Sequence, residues 1–202
     1  MTFRAVPGQI VDVLLAAARD AAMLVVGSRG PGAASGVLPA FTALSLVRFA
    51  RCPVAVVPDR GARPEPSPQG PVVVGFVPEP GSQAALELAA ELAAAWDVRL
   101  RVVHAVLGRS RGARETQVHV HRLLEDQMAD LTTRIPDLRV EHRFAADTPL
   151  RSLLAEAETA RAVVVGQRSR TSALGVAGST SRSVIECGSC PVVVAPLMAA
   201  VP

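Results

Sequence analysis

Two glycine- and hydroxyl-containing segments near the end of the chain have the residue types of a phosphate-binding loop. The first follows a run of valines and reads Gly166-Gln-Arg-Ser169, and the second reads Gly178-Ser-Thr-Ser181. Glycine lets an anion approach the backbone, and the free N–H groups at a helix start attract negative charge. The candidate ligand contacts are therefore Gly166, Gly178, Ser179 and Thr180. Chain reversal at the glycines, with Ser179 as an N-cap, explains the same residues equally well.

A pair of cysteines, Cys187 and Cys190, has the CxxC spacing of redox and zinc sites. The pair is expected at the C-terminal end of a helix, where the helix dipole disfavours a thiolate, so packing is favoured over redox chemistry. A zinc site would need two more ligands, for which His119 and His121 are the candidates. Their helix is expected to follow the second strand of the domain, and this topology does not favour a shared site.

Acid–base chemistry has weaker support. His104 ends a predicted strand near the presumed pocket, but no nucleophile or metal ligand accompanies it, which favours a buried, hydrogen-bonded histidine. A spacing of two turns His119 and His121 in different directions on a helix, so both are expected at the solvated surface. The acidic residues expected on solvated helix faces are Asp20, Glu156 and Glu158.

An internal repeat organises the chain. The matched blocks are Leu14-Leu-Ala-Ala-Ala18 with Leu153-Leu-Ala-Glu-Ala157, Ala22-Met-Leu-Val-Val-Gly-Ser-Arg29 with Arg161-Ala-Val-Val-Val-Gly-Gln-Arg168, and Cys52-Pro-Val-Ala-Val-Val-Pro58 with Cys190-Pro-Val-Val-Val-Ala-Pro196. The blocks follow in one order and nearly one register. We therefore predict two copies of one domain.

The second copy, residues 71–198, has the pattern of a complete α/β domain. Short valine-rich runs closed by proline or glycine predict buried strands, and Ala-, Leu- and Glu-rich segments predict helices. The predicted strands are 71–77, 98–106, 140–145, 163–165 and 191–195, and the predicted helices are 82–96, 115–131, 149–160 and 179–186. This alternation predicts a doubly wound parallel sheet with helices on both faces.

The first copy, residues 1–58, holds only the part of the domain from its third strand onward. Its predicted elements are strand 3–6, helix 9–20, strand 23–26, helix 40–50 and strand 54–57, and a Pro-, Gly- and Arg-rich linker follows at 59–70. A half-domain with a valine-rich sheet leaves apolar surface uncovered. Two explanations stay open: a true start upstream of Met1, which we favour, or packing of the half-domain against the complete one.

Ligands of open doubly wound sheets bind beyond the carboxyl ends of the strands. In the second copy these ends bring together the loop after the first strand, the end of the second strand and the loop after the fourth. The residues expected around one pocket are Val77, Ala105, Gly166, Ser169, Gly178, Ser179 and Thr180.

The chain resembles the universal stress protein family in several segments. They are Val25-Val-Gly-Ser-Arg-Gly30, Cys52-Pro-Val-Ala-Val-Val57, Val72-Val-Val-Gly75, Pro80-Gly-Ser-Gln-Ala-Ala-Leu86, Leu100-Arg-Val-Val-His104 and the block 163–196. The resemblance implies a five-stranded parallel sheet in the order 3-2-1-4-5. It also implies pairing through the fifth strands, as a homodimer or an intrachain pseudo-dimer, and a role in stress adaptation with a regulatory protein partner. Members of the family are not generally enzymes.

Some members bind ATP through an acidic residue after strand one and a loop of the form Gly-x2-Gly-x9-Gly-Ser/Thr. Here Val77 stands at the acidic position and Ser169 at the second glycine, and the loop is one residue short. The missing carboxylate removes a charge-assisted hydrogen bond of about 1.5 to 3 kcal/mol, and the side chain of Ser169 crowds the approach of a triphosphate. We therefore expect ATP to be bound weakly or not at all.

Composition excludes several classes. The net charge of +3 is spread without a basic cluster, so nucleic-acid binding is not expected. No stretch is apolar for the roughly 20 residues of a membrane span, and three cysteines without an export signal indicate a reducing cytoplasm. We expect a non-enzymatic regulatory or binding protein. The alternatives are a nucleotide hydrolase or phosphotransferase, which would need a carboxylate for Mg²⁺ near the loop, and a purely structural dimerisation module.

Overall fold

The computed structural model of the protein describes residues 2–28, 41–59, 66–105, 111–167 and 179–197. These ranges contain thirteen elements of regular structure. In chain order they are α1 Ile10–Ala17, β1 Leu24–Gly27, α2 Phe41–Phe49, β2 Val54–Val57, β3 Val72–Gly75, α3 Pro80–Ala95, β4 Leu100–Ala105, α4 Arg111–Arg134, β5 Val140–Ala145, α5 Pro149–Ala157, β6 Ala162–Gly166, α6 Ser179–Cys187 and β7 Val192–Ala195.

Local sequence explains where several elements begin and end. The valine runs form strands because branched side chains pack well on a pleated surface. Thr148 caps α5, since its side-chain oxygen accepts a hydrogen bond from the Arg151 N–H, and Pro149 follows at the first turn. Pro80 likewise begins α3, and the chain leaves that helix through Asp97, which has a positive φ of 50°. The boundaries therefore follow the capping and turn residues.

Residues 3–6 were predicted as a strand, and that prediction was wrong. They have no regular structure and lie exposed. In the second copy the corresponding strand, β5, pairs with β4. No counterpart of β4 exists among the described residues of the first copy, so residues 3–6 have no neighbouring strand to satisfy their backbone groups.

The strands form one mixed sheet in the order β1-β2-β7-β6-β3-β4-β5. Every pair is parallel except β2 and β7, which run antiparallel with Ala55 opposite Val193. The expected five-stranded sheet of the second copy is therefore not a separate sheet, because it continues through β2 and β1 to seven strands. Pairing with β2 satisfies the edge of β7 that would otherwise be open.

The repeat in the sequence is also a repeat of backbone contacts. The Ser28 N–H donates to the Val57 carbonyl at 2.8 Å, and the Gln167 N–H donates to the Ala195 carbonyl at 2.9 Å. The Ser28 hydroxyl oxygen also accepts from the N–H of Asp59, two residues after Val57. In the same way, the Gln167 side-chain oxygen accepts from the N–H of Leu197, two residues after Ala195. The turns after β1 and β6 are thus built in the same way.

Helices cover the sheet on both faces, as the continuous valine runs predict. Val72 and Val74 face α3 and α4 in one apolar cluster. Val73 faces the opposite way, into a second cluster that holds residues of α1, α2, α5 and α6. None of the helices in the described ranges is both long and apolar enough to cross a bilayer.

An ion-pair network under α5 corrects one expectation. Glu156 was expected on a solvated face, but it accepts a hydrogen bond of 2.6 Å from Arg101 on β4. Arg101 also donates to Glu141 on β5 at 3.0 and 3.1 Å. The hydrogen bond from Arg101 lowers the pKa of the Glu141 carboxyl, although burial acts in the opposite direction. Asp20 and Glu158 are exposed, as expected.

Candidate functional site

A cavity of about 150 Å³ lies at the carboxyl ends of β3, β4 and β6. Its lining comes from these strand ends, the loop after β3 and the first turns of α3, α5 and α6. The lining residues are Gly75, Phe76, Val77, Ser82, Val103, Ala105, Pro149, Leu153, Val165, Gly166, Thr180 and Ser181. This is the edge at which open parallel sheets bind their ligands.

Four of the predicted site residues line this cavity together: Val77, Ala105, Gly166 and Thr180. Ser179 begins α6, directly before Thr180, but its side chain lies outside the described part of the structure. Ser169 and Gly178 also lie outside the described residues. The structure thus brings together the three segments that the strand order predicted, and ligand binding by these residues stays a prediction.

Two buried serines contribute hydroxyl groups: Ser181, in the segment 178–181 that was predicted at the site, and Ser82, at the end of the loop segment that was expected at the same edge. Ser82 and Ser181 are buried and both line the cavity. The Ser82 hydroxyl oxygen accepts from the Val77 N–H at 3.2 Å, and its own proton can still be donated. The available signal for Ser82 was its position at the start of a helix directly after the loop that follows the first strand of the domain.

The described lining carries no charged side chain. Apolar contacts come from residues such as Val77, Val103 and Leu153, and polar contacts come from hydroxyl groups. Thr180 and Ser181 lie in the first turn of α6, where backbone N–H groups lack helical partners and the dipole favours an anion. The arrangement suits a ligand with a flat apolar part and an anionic part held by hydrogen-bond donors.

Gly166 has a packing role that is separate from any ligand. A Cβ atom at this position would overlap the carbonyl oxygen of Gly81 and lie 3.1 Å from the backbone nitrogen of Ser82. In return, a Cβ atom on Gly81 would overlap the carbonyl oxygen of Gln167. The first turn of α3 and the end of β6 therefore lie in direct backbone contact. Gly166 was predicted as a turn or ligand residue, and the structure adds this contact with Gly81.

Gln167 joins the turn after β6 to the first copy. Its side-chain amide donates to the carbonyls of Val47 and Arg48 at 3.0 and 3.2 Å, near the end of α2. Its side-chain oxygen accepts from the Leu197 N–H at 3.2 Å. The last carbonyls of a helix lack helical donors, so this buried amide satisfies groups that the helix leaves open.

His104 is a buried structural histidine, as expected. Its Nδ1 lies 2.9 Å from the Phe76 carbonyl oxygen, so Nδ1 carries the proton and donates. Its Nε2 is buried and has no partner in the described structure. Strand alternation turns His104 away from the cavity, which Val103 and Ala105 line from the other face of β4.

The remaining candidates do not form a metal site. No group of three His, Cys, Asp or Glu side chains within the described residues could hold a metal ion. Cys187 is exposed, Cys190 is buried, and no disulfide joins them. His119 is exposed, as expected, but His121 packs its ring against His142 and Phe144 at centroid distances of 6.2 and 5.7 Å. The expectation of a fully solvated His121 was therefore only partly right.

Replacing His142 by glutamine is expected to flatten the pH dependence of stability below about pH 6.5. Burial lowers the pKa of His142, the nearby His121 lowers it further, and Glu125 opposes the shift. Since the pKa of His142 in the folded state lies below its ordinary value, His142 is protonated in the unfolded chain before it is protonated in the folded one as the pH falls. The stability that neutral His142 contributes is therefore complete above about pH 6.5 and is lost as the pH falls through the folded-state pKa.

Urea unfolding of the wild type and His142→Gln between about pH 7 and pH 5 measures this effect. His119→Gln is the matched control, because His119 lies exposed on the same helix as His121. Equal pH slopes for the wild type and His142→Gln would contradict the assignment.

Comparison with known proteins gives a consistent family. A family model described as the universal stress protein family matches residues 2–58 and 70–196. Universal stress protein Rv1996 of Mycobacterium tuberculosis is 38% identical over 200 residues, which cover 93% of this chain and 63% of that protein. The chain thus spans less than two thirds of the length of this curated relative.

Solved structures agree on the fold. A crystal structure of a universal stress protein from Archaeoglobus fulgidus DSM 4304 matches with a TM-score of 0.70 at 21% identity, covering 93% of this chain and 67% of that chain. The universal stress protein from Archaeoglobus fulgidus in complex with dAMP matches with a TM-score of 0.50 at 25% identity, covering 62% of this chain and 96% of that chain.

Proposed function

Since the chain belongs to the universal stress protein family, we propose that it is a cytoplasmic, non-enzymatic regulatory protein of stress adaptation whose cavity binds an adenine nucleotide weakly. The observation that carries this proposal is the cavity at the carboxyl edge of β3, β4 and β6, lined by Val77, Ala105, Gly166 and Thr180. The dAMP complex of a relative supports an adenine nucleotide as the ligand class.

Weak binding follows from the residues that line the cavity. The position that carries an acidic residue in ATP-binding members is Val77, which lies 38% exposed at the cavity wall. The described walls bound a cavity of about 150 Å³ and contribute no carboxylate that could fix the orientation of a nucleotide.

Replacing Val77 by aspartate is expected to strengthen adenine-nucleotide binding. One charge-assisted hydrogen bond contributes about 1.5 to 3 kcal/mol, which corresponds to an affinity gain of about ten- to a hundredfold. Isothermal titration calorimetry with ATP and with dAMP, each against the wild type and Val77→Asp, measures the gain. The wild type is expected to bind both more weakly than the micromolar range.

Val118→Asp is the matched control for this titration. Val118 lies 53% exposed on α4, outside the cavity lining, so the substitution adds the same charge away from the site. Its nucleotide affinity should equal that of the wild type. Micromolar binding of ATP by the wild type would show that the site is intact and would end the proposal of a degenerate one.

The two alternative classes of function predict different results in assays of the same purified protein. A nucleotide hydrolase or phosphotransferase would release phosphate from ATP in the presence of Mg²⁺, and we expect no release because the described cavity lining has no carboxylate to hold the ion. A purely structural module would show no nucleotide-dependent rise in melting temperature at millimolar ATP, whereas weak binding raises it by mass action.

We further propose that the chain is of the tandem type, with an incomplete copy at residues 1–58, a linker at 59–70 and a complete copy at 71–198. The antiparallel pairing of β2 with β7 supports an intrachain pseudo-dimer through the fifth strands. A homodimer through the same strands would need the edge of β7 that β2 already occupies.

A further inference from the structure

A groove of about 660 Å³ runs along α1 and past the end of α2. Its lining residues are Asp12, Leu15, Ala16, Arg19, Phe49 and Arg51. The first four recur every three or four positions and therefore lie along one side of α1. We call this surface the α1–α2 groove. It shares no lining residue with the cavity between β3, β4 and β6.

The two ends of the α1–α2 groove carry opposite charge. Asp12 lies in the first turn of α1 and Arg19 just after its last turn, so seven residues of helix separate them by roughly 10 Å. Helices α1 and α2 each lead into a strand of the parallel pair β1 and β2, so their last turns lie at the same end and Arg51 lies on the side of Arg19. Neither arginine pairs with a carboxylate among the described residues.

An open aromatic ring lies at the basic end of the groove. Phe49 is 52% exposed, and the guanidinium carbon of Arg48 lies 5.3 Å from the centre of its ring. Leu15 is half-buried on the opposite wall. Aromatic and arginine side chains are enriched where proteins bind one another, and they carry much of the binding energy there. The composition of the groove is therefore that of a protein-recognition surface.

The second copy shows that the fold does not require these residues. In the repeat, the counterparts of Arg19, Phe49 and Arg51 are Glu158, Cys187 and Ser189. Helices α5 and α6 form without an arginine or a ring at these positions. The Ser189 hydroxyl donates to the Ala157 carbonyl at 2.9 Å, so this position serves packing in the second copy. Folding of the helix pair thus leaves the two arginines and the ring of the first copy unexplained.

The wall formed by the end of α2 is held in place from its other side. The side-chain amide of Gln167 donates to the carbonyls of Val47 and Arg48, directly before Phe49. The Ala50 N–H donates to the Leu46 carbonyl at 2.8 Å and closes the last turn. A wall that is already ordered loses less entropy when a partner binds.

We infer that the α1–α2 groove is a docking site for a peptide segment of a partner protein. The segment would present carboxylates to Arg19 and Arg51, an apolar side chain to Phe49, and a basic group to Asp12. Asp12 repels a polyanion such as nucleic acid, so the order of charges favours a peptide with both signs. An extended peptide advances about 3.3 to 3.6 Å per residue, so three residues reach from one charged end to the other.

A short peptide of this pattern tests the inference on the full chain. The probe is the N-acetylated, C-amidated peptide Lys-Ala-Leu-Glu-Glu, titrated into the ¹⁵N-labelled protein while amide chemical shifts are followed. We expect shifts confined to α1 and the end of α2, with a dissociation constant of about 0.1 to 1 mM that rises in about 0.5 M salt. The control peptide Lys-Ala-Leu-Lys-Lys, which lacks the carboxylates, should cause no such shifts.

Substitutions taken from the second copy identify the contacts. Arg19→Glu introduces the residue of the second copy and should weaken probe binding by at least about fivefold, because it replaces an attraction by a repulsion. Arg51→Ser should weaken it by at least about twofold. Arg122→Glu is the matched control, since Arg122 lies exposed on α4 and its replacement changes the net charge equally. Unchanged amide shifts in β6 and β7 verify that each variant is folded.

Four results would overturn the inference. The first is the absence of shifts in α1 and α2 at about 10 mM probe. The second is probe binding that Arg19→Glu leaves as strong as before. The third is an equal response to inorganic phosphate alone, which would show a simple anion site. The fourth is a change of the α1 and α2 shifts with protein concentration in the absence of probe, since a second copy of the chain would then occupy the groove.

Discussion

Replacing Gly166 by alanine is expected to destabilise the protein by about 2 to 3 kcal/mol, with or without a ligand. The added Cβ would overlap the carbonyl oxygen of Gly81 and lie 2.5 Å from its carbonyl carbon. These are backbone atoms of the first turn of α3, so no side-chain rotation can relieve the overlap. Gly166 does not have a positive φ, and the cost is therefore steric rather than conformational. Urea unfolding monitored by circular dichroism gives the free energy.

Gly75→Ala is the matched control for this experiment. Gly75 ends β3 as Gly166 ends β6, but a Cβ there would meet Cδ1 of Leu153 at 3.1 Å, and a leucine side chain can move. Less freedom in the unfolded chain offsets part of the cost, so we expect a change below about 1 kcal/mol. Equal costs for the two substitutions would show that the contact between Gly81 and Gly166 is not rigid.

The result bears on how any binding experiment at this site is interpreted. If Gly166→Ala also loses nucleotide binding, the loss reports displacement of the start of α3 and the loop before it, which carry Ser82 and Val77 into the cavity lining. A substitution that tests the ligand contact itself must leave this backbone contact intact. Val77 meets that condition better, because its side chain is 38% exposed.

Replacing Arg101 by methionine is expected to cost about 2 kcal/mol at neutral pH, less than the roughly 3 to 5 kcal/mol of a fully buried pair. Arg101 is 15% exposed and holds Glu141 and Glu156, which are 30% and 22% exposed, so water screens part of the interaction. Methionine keeps most of the apolar stem and removes the charge. Both carboxylates then lose a donor in a half-buried setting.

The cost of Arg101→Met should depend on pH in a defined direction. The hydrogen bond from Arg101 lowers the pKa of Glu141 below its ordinary value of 4.5. The stability that ionised Glu141 contributes is present above about pH 4.5 and is lost as the pH falls through the folded-state pKa. The difference between wild type and Arg101→Met should therefore shrink in acid.

Urea unfolding at neutral pH and near pH 3 measures this difference. Arg139→Met is the control, because Arg139 and its partner Asp97 lie 58% and 97% exposed and such surface pairs contribute little. A cost for Arg101→Met that is the same at both pH values would contradict an electrostatic origin.

Short-range sequence signals predicted most of the elements. The predicted strands 54–57 and 140–145 became β2 and β5 with the predicted bounds. The first is a branched apolar run closed by turn residues, and such a run is decided locally. Residues 3–6 carry a similar signal but form no strand, since strand formation also needs a neighbour. That requirement lies outside any local window.

The candidate site was predictable in outline and not in its contacts. Parallel strands turn their carboxyl ends to one edge, so Val77, Ala105 and Gly166 could be placed together from the order of the elements alone. The contact of Gly166 with Gly81 depends on the distance between the end of β6 and the first turn of α3, and the periodicity of a helix or strand in the sequence carries no information on that distance. For the same reason Glu156 was placed in solvent, although Arg101 reaches it from a strand 55 residues away in the chain.

Because β2 pairs antiparallel with β7, the strands of the two copies run in opposite directions in the sheet. The turn at Gly27 and Ser28 and the turn at Gly166 and Gln167 are built alike, yet they emerge at opposite ends of the strands. One ligand molecule cannot bridge them. A ligand bound at the Gly166 turn would therefore leave the Gly27 turn unoccupied. Solutes reach the Gly27 turn from the opposite side of the molecule.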